Sequence, residues 1–223
     1  MTFSISARCP ETGMFGIAIS SSSPAVAARC SHVRAKAGVV ASQNITDPGL
    51  GLRGLDLLAT GMSAQDVVDN LVASTEFSDF RQLAVVDQQG DTAVFSGQGV
   101  LGSFAMSRGA QCVAAGNMLA DVAVTDVMVR TFEATVASFP DRLLTAMRAG
   151  LAAGGEAGPV YSAGLKVMRD LEWPLVDLRV DWAENPIDRL QEIWEVYAPQ
   201  MEDYVRRAVA PSAAPTFGVP GNL

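Results

Sequence analysis

A chain of 223 residues and 23.4 kDa suits one compact domain, and chains of this size bury about 70% of their unfolded surface. A 49% hydrophobic fraction with 18% charged residues excludes intrinsic disorder, collagen and coiled-coil rods. With 24 acidic against 16 basic residues the formal charge is −8, and Lys36 and Lys166 are the only lysines. Nucleic acid, whose phosphates need clustered Lys and Arg, is therefore not expected as a partner.

From the N-terminus, Phe3, Ile5 and Ala7 alternate with Ser4, Ser6 and Arg8, a period-two pattern that predicts a strand. Pro10-Glu11-Thr12-Gly13 is a turn signal, so residues 15–21 return as the second strand of a hairpin. Residues 39–44 form a further strand, broken by Asp47-Pro48-Gly49. Leu52, Leu55, Leu58 and Ala59 then recur at helical spacing, and Ser63 caps a second helix with Val67, Val68, Leu71 and Val72 on one face. A second hairpin follows over 83–86 and 92–96, then a short strand over 111–115 that Gly116-Asn117 ends. One helix runs from Val124 to about Ser138, and Pro140 opens the next as its first residue. Strands over 160–168 and 175–180 precede a last helix from Pro186. Residues 1–207 thus read as a single domain, and 208–223, with Pro211, Pro215 and Pro220, as a loose tail. Strands and helices come in blocks rather than alternating, which points to a layered α+β fold and away from a doubly wound parallel sheet.

Cys9, Cys30 and Cys112 are odd in number and far apart, and His32 is the single histidine, so neither a disulfide framework nor a metal site is expected. The first residues lack the basic segment, apolar stretch and cleavage site of a signal peptide. No stretch supplies the roughly 20 apolar residues of a membrane span. A cytoplasmic protein with reduced thiols is the expectation, with no membrane partner.

Several motifs carry possible chemistry. Gly49, Gly51 and Gly54 match the dinucleotide fingerprint G-x-G-x-x-G. The second parallel strand and ribose-binding acid that a dinucleotide site needs do not follow, so no cofactor is expected, and the glycines read as close helix packing. Ser20 to Ser23 could supply a nucleophile only with His32 as its base, and a packed or surface histidine is the commoner case. Asp177 and Asp181 flank Arg179, which suits acid–base work or a structural ion pair. In the last helix Ile187, Leu190, Trp194, Tyr197, Met201 and Tyr204 form a narrow apolar seam, with Pro199 set to kink it. The seam suits packing on its own domain or, as we expect, the interface of a homo-oligomer such as a dimer. Thr2 is the remaining position. If Met1 is removed, its hydroxyl is a nucleophile and its own α-amine, with a reference pKa of about 7.7–8.0, is the base, so no histidine is required.

The sequence resembles the DUF1028 family, which is classed with the N-terminal-nucleophile (Ntn) hydrolases. The resemblance runs through Thr2-Phe3-Ser4-Ile5, Pro10-Glu11-Thr12-Gly13, Ser20-Ser21, Ala25-Val26 and Ala41-Ser42-Gln43. It continues through Gly51, Gly54-Leu55, Leu57-Leu58, Gly116-Asn117-Met118-Leu119, Ser162-Ala163 and Asp177-Leu178-Arg179-Val180-Asp181. The chain departs from the family pattern at Cys9, at Ser22 and at Trp182-Ala183. The resemblance implies a four-layer αββα sandwich of two stacked antiparallel sheets. It implies an amidohydrolase acting on a small amide or peptide-like substrate, with Thr2 at the matching place for the nucleophile. Asn117 or backbone N–H groups would then form the oxyanion hole. Ser20 and Gln43 would lie nearby, and Arg179 with Asp177 would shape the pocket; Lys36 ranks below Asn117 as a partner of the threonine. A catalytically silent small-molecule binder on the same fold is the alternative.

Overall fold

The computed structural model describes residues 2–218; Met1 and residues 219–223, including Pro220 of the expected tail, lie outside them. The N-terminal hairpin is β1 (Thr2–Arg8) with β2 (Phe15–Ser21), followed by the short α1 (Val26–Cys30). Next come β3 (Ser31–Arg34), β4 (Gly38–Asn44), α2 (Pro48–Ala59) and α3 (Ala64–Ala73). The middle of the chain supplies β5 (Arg81–Val86), β6 (Thr92–Ser96), β7 (Ala105–Gly109), β8 (Cys112–Asn117), α4 (Val124–Ala134) and α5 (Phe139–Ala152). The last elements are β9 (Ser162–Met168), β10 (Val176–Val180), α6 (Pro186–Tyr197) and α7 (Met201–Val209).

The strands form a six-stranded sheet, β10-β9-β2-β1-β8-β7, and a four-stranded sheet, β3-β4-β5-β6, in which every neighbouring pair is antiparallel. Alternation along the strands sorts side chains between layers. Phe3, Ile5 and Ala7 of β1 pack with Met128, Phe132, Leu143, Met147 and Leu190 of α4, α5 and α6. On the opposite face, Phe15, Ile17, Val113 and Ala115 meet Val39, Ala41, Ala84 and Val86 of the smaller sheet. That sheet's outer face, with Val40, Leu83 and Val85, is covered by Leu50, Leu55, Leu58 and Leu71 of α2 and α3. The result is the αββα sandwich, helices outside and two sheets inside.

Local chemistry starts and spaces the helices. Asp47, Ser63 and Ser138 cap α2, α3 and α5 by accepting from Gly49, Asp66 and Asp141 N–H, and Pro48, Pro140 and Pro186 occupy first turns. Gly49, Gly51 and Gly54 lie inside α2 rather than in a loop before it. A Cβ on Gly51 would sit 2.1 Å from His32 Nδ1, and one on Gly54 3.0 Å from Val40. These glycines therefore let the helix lie flat on the sheet. Pro199 falls in a 3-10 turn between α6 and α7. Ile187, Leu190 and Trp194 of the seam are buried in the protein's own core, with Tyr197 and Met201 packed against it, while Tyr204 is exposed. Arg207, in the last turn of α7, stacks 3.8 Å over Phe217 and donates to the carbonyls of Pro215 and Thr216. Among the described residues no helix is long and apolar enough to cross a membrane, and the three cysteines are free and buried.

Candidate functional site

The space between the sheets is apolar along most of its length and turns polar at one end, where β1 starts and β8 ends. Thr2, with Ser4 and Ser6, lies on the inter-sheet side of β1, opposite in phase to Phe3 and Ile5. Its register partner is Asn117 on β8. On the other side, the pairing of Phe3 with Ser20 sets Thr2 against Ser21 of β2, and the Thr2 hydroxyl donates to Ser21 Oγ at 3.4 Å. Ser21 Oγ also accepts from the Ser23 N–H at 3.0 Å. Thr2 is 4% exposed.

Across the gap stand Gln43 on β4 and Gln82 on β5, both fully buried. One contact fixes the orientation of every amide in this cluster. Gln82 Nε2 donates to the Gly116 carbonyl at 3.0 Å, and a carbonyl can only accept. Gln82 Oε1 is therefore an acceptor, and it receives Gln43 Nε2 at 2.9 Å and Asn117 Nδ2 at 3.0 Å. Gln43 Oε1 in turn accepts from the Ser4 hydroxyl at 2.9 Å. Asn117 Oδ1 is left buried without a hydrogen-bond partner among the described residues. The chain thus presents a hydroxyl beside an amide with an unfilled acceptor, held by a network with no rotational choice.

A buried carboxylate completes this end. Glu156 follows α5 in a loop stitched to the continuation of β8: Leu119 bridges Glu156, Ala120 N–H donates to the Gly155 carbonyl, and Ala157 N–H to that of Met118. Its side chain reaches to the continuation of β2, where its carboxylate oxygens accept from the Ser22 N–H at 3.1 and 3.3 Å. Glu156 is 4% exposed, and none of the ion pairs among the described residues involves it. Burial pushes its carboxyl up from 4.5 to about 7, with the positive amino terminus and the Ser22 hydrogen bonds pulling the other way. Between these two values the folded chain binds a proton that the unfolded chain has released, so stability falls as pH rises through that window. The loss amounts to roughly 3 kcal/mol, complete above the folded value. Urea unfolding at about pH 5 and pH 8 should show this drop in the parent chain and its absence in Glu156→Gln.

The residues singled out from sequence fall into three groups. Thr2, Asn117 and Gln43 come together between the sheets. Ser20 lies one row further in, level with Phe3 and on the helix-facing side of β2, donating to the Ser162 carbonyl at 2.9 Å. Asp177 and Arg179 are on the outer strand β10. Arg179 is level with Gly164, Ile19 and Ser4, three strands from β1, which is about 14 Å at the usual strand spacing. Asp177 pairs with Lys166 at 3.1 Å, and Arg179 with Asp181 at 3.4 Å. Lys36 sits in the β3–β4 turn, at the end of β4 opposite Gln43. His32 packs on Gly51, with burial lowering its pKa. Gln82 and Glu156 were not singled out, and Ser21 was weighed only as part of the Ser20 to Ser23 run. Extending the alternation of Ala84 and Val86 back by one step would have placed Gln82 facing inward, and Ser21 shares its side of β2 with Ile17 and Ile19. Glu156 sits in a glycine-bounded loop with no periodic signal. Among the described residues no group of three or more His, Cys, Asp or Glu side chains is placed to hold a metal ion.

Residues 2–190 match the model of a family of unknown function, DUF1028, and the chain belongs to that family. It is similar to protein SPO2555 from Silicibacter pomeroyi, itself described as a DUF1028 protein, with a TM-score of 0.86 and 32% identity over 92% of this chain and 90% of that one. Anbu (ancestral beta-subunit) from Yersinia bercovieri aligns at a TM-score of 0.39 and 11% identity, over 91% of this chain and 97% of that one. No curated protein matches the chain.

Proposed function

We propose that this chain is an amidohydrolase of the N-terminal-nucleophile type, acting on a small amide or peptide-like substrate once Met1 has been removed. The observation that carries the reading is the place of Thr2, at the start of β1, on the inter-sheet face and beside Asn117 in the polar end of the sandwich. With Met1 gone, the α-amine takes the proton of the Thr2 hydroxyl as Oγ1 attacks the substrate carbonyl carbon. The resulting ammonium returns that proton to the departing amine, and water then cleaves the Thr2 ester to release the acid. Asn117 Nδ2 keeps a second hydrogen beyond the one given to Gln82, and it is the side-chain donor proposed for the oxyanion, a role worth about 3–4 kcal/mol in known enzymes. Gln43 and Gln82 hold that amide in place. Arg179 and Asp177 are too far along the sheet to touch the same carbonyl, and Ser20 supports the β2 edge from behind.

The second reading, a silent small-molecule binder, is favoured by the burial of Thr2 and by the amide bond that Met1 makes to its nitrogen. An intact mass of protein made in its own host separates the two. The hydrolase requires the mass of a chain starting at Thr2, together with turnover in a panel of peptide and N-acyl amides. A population that keeps Met1 throughout eliminates it.

A further inference from the structure

We infer that Glu156 is the positioning residue for the Thr2 α-amine, its carboxylate serving as the fixed counter-ion of the ammonium that forms when the amine acts as base. This rests on the reading of Thr2 as an N-terminal nucleophile. The geometry comes from sheet order. β1 lies between β8 and β2, and Glu156 connects the continuations of those two neighbours across the end of β1. Its backbone bridges Leu119, two residues past Asn117, and its carboxylate takes the Ser22 N–H, one residue past Ser21. Asn117 and Ser21 are the two residues that flank Thr2. Glu156 therefore closes the strand end at which the nitrogen of Thr2 stands.

The electrostatics agree with that placement. A carboxylate this buried is costly unless a positive charge meets it, and no Lys, Arg or His pairs with Glu156 among the described residues. The Ser22 N–H satisfies part of its acceptor capacity and none of its charge. With Thr2 as first residue, the amino-terminal charge sits on the Thr2 nitrogen once the hydroxyl proton arrives there, so the carboxylate stabilises the cationic base without touching the substrate. The proton moves from Oγ1 to nitrogen, and Glu156 takes no part in its transfer.

The test uses the full chain released from a cleavable fusion so that Thr2 is its first residue, which supplies the amine whether or not the native host removes Met1. The amine is titrated by competitive acylation across pH, read by mass spectrometry. In the parent chain its proton affinity should lie at least tenfold above that of the Glu156→Gln chain. Equal titrations in the two chains overturn the inference. As a second readout that needs no variant, a water-soluble carbodiimide activates the Glu156 carboxyl, and attack by the Thr2 amine forms an amide with loss of one water. The peptides carrying Thr2 and Glu156 should then appear covalently joined in digests of the native chain and separate in digests of chain treated in urea. Absence of the joined peptide from the native sample also overturns it. Neither readout depends on turnover, so a chain that pairs the two groups yet cleaves no amide rejects the hydrolase and leaves the ion pair standing.

Discussion

Thr2→Ala, in a chain whose first residue is position 2, is expected to lower amide hydrolysis by at least about a thousandfold, because the oxygen that forms the ester is gone while the amine remains. Thr2→Ser should retain a measurable rate, since hydroxyl and amine stay together. Stability should change by only about 1 kcal/mol. The alanine variant gives up the hydroxyl, with its long hydrogen bond to Ser21, and one methyl group. Initial rates on whichever amide the panel identifies, with urea unfolding alongside, check both halves. Unchanged turnover in Thr2→Ala would place the nucleophile elsewhere.

Gln82→Leu is expected to be the most destabilising single change at the polar end, by about 3–9 kcal/mol. It strands Gln43 Nε2, Asn117 Nδ2 and the Gly116 carbonyl, three fully buried groups at about 1–3 kcal/mol each. Gln43→Leu strands only the Ser4 hydroxyl, since Gln82 Oε1 keeps its Asn117 donor, and should cost less. Urea midpoints of the two variants give the order directly. A Gln82 variant as stable as Gln43→Leu would mean that water replaces the lost partners.

The outer architecture was legible because it rests on periodicity. Phe3, Ile5 and Ala7 bury the face that alternation marks, and the Asp47, Ser63 and Pro140 signals fall at helix starts; in α2, Leu55 and Leu58 are buried with Leu50, whereas Leu52 and Ala59, read as part of that face, are exposed. Strands β3 and β7 were missed for a physical reason. His32-Val33-Arg34 is too short to show alternation, and Ala105-Met106-Ser107-Arg108 is a half-exposed edge with no apolar face to bury. Asn117 was read as ending its strand, yet it is paired within β8; the polar residue belongs there because its side chain meets Gln82 instead of water. The site was legible only at Thr2, Gln43 and Asn117. Its other parts depend on contacts between residues far apart in the chain, such as Ser22 with Glu156 and Gln82 with Gly116, and no local pattern encodes such pairings.

The central place of β1 also has a consequence in time. One of the two strands that enclose it, β8, is made more than a hundred residues later, so the second edge of the N-terminal strand stays open until about half of the chain exists. At synthesis rates of about 5–20 residues per second, β1 waits on the order of ten seconds for β8, with only β2 available to pair with it. Once β8 and the 154–157 loop close beside that strand end, Thr2 is buried. On the proposed reading of Thr2, removal of Met1 would compete with folding. A slower translation rate or a destabilised β8 would raise the fraction of molecules that carry a free threonine, while the folded structure of each molecule stayed the same.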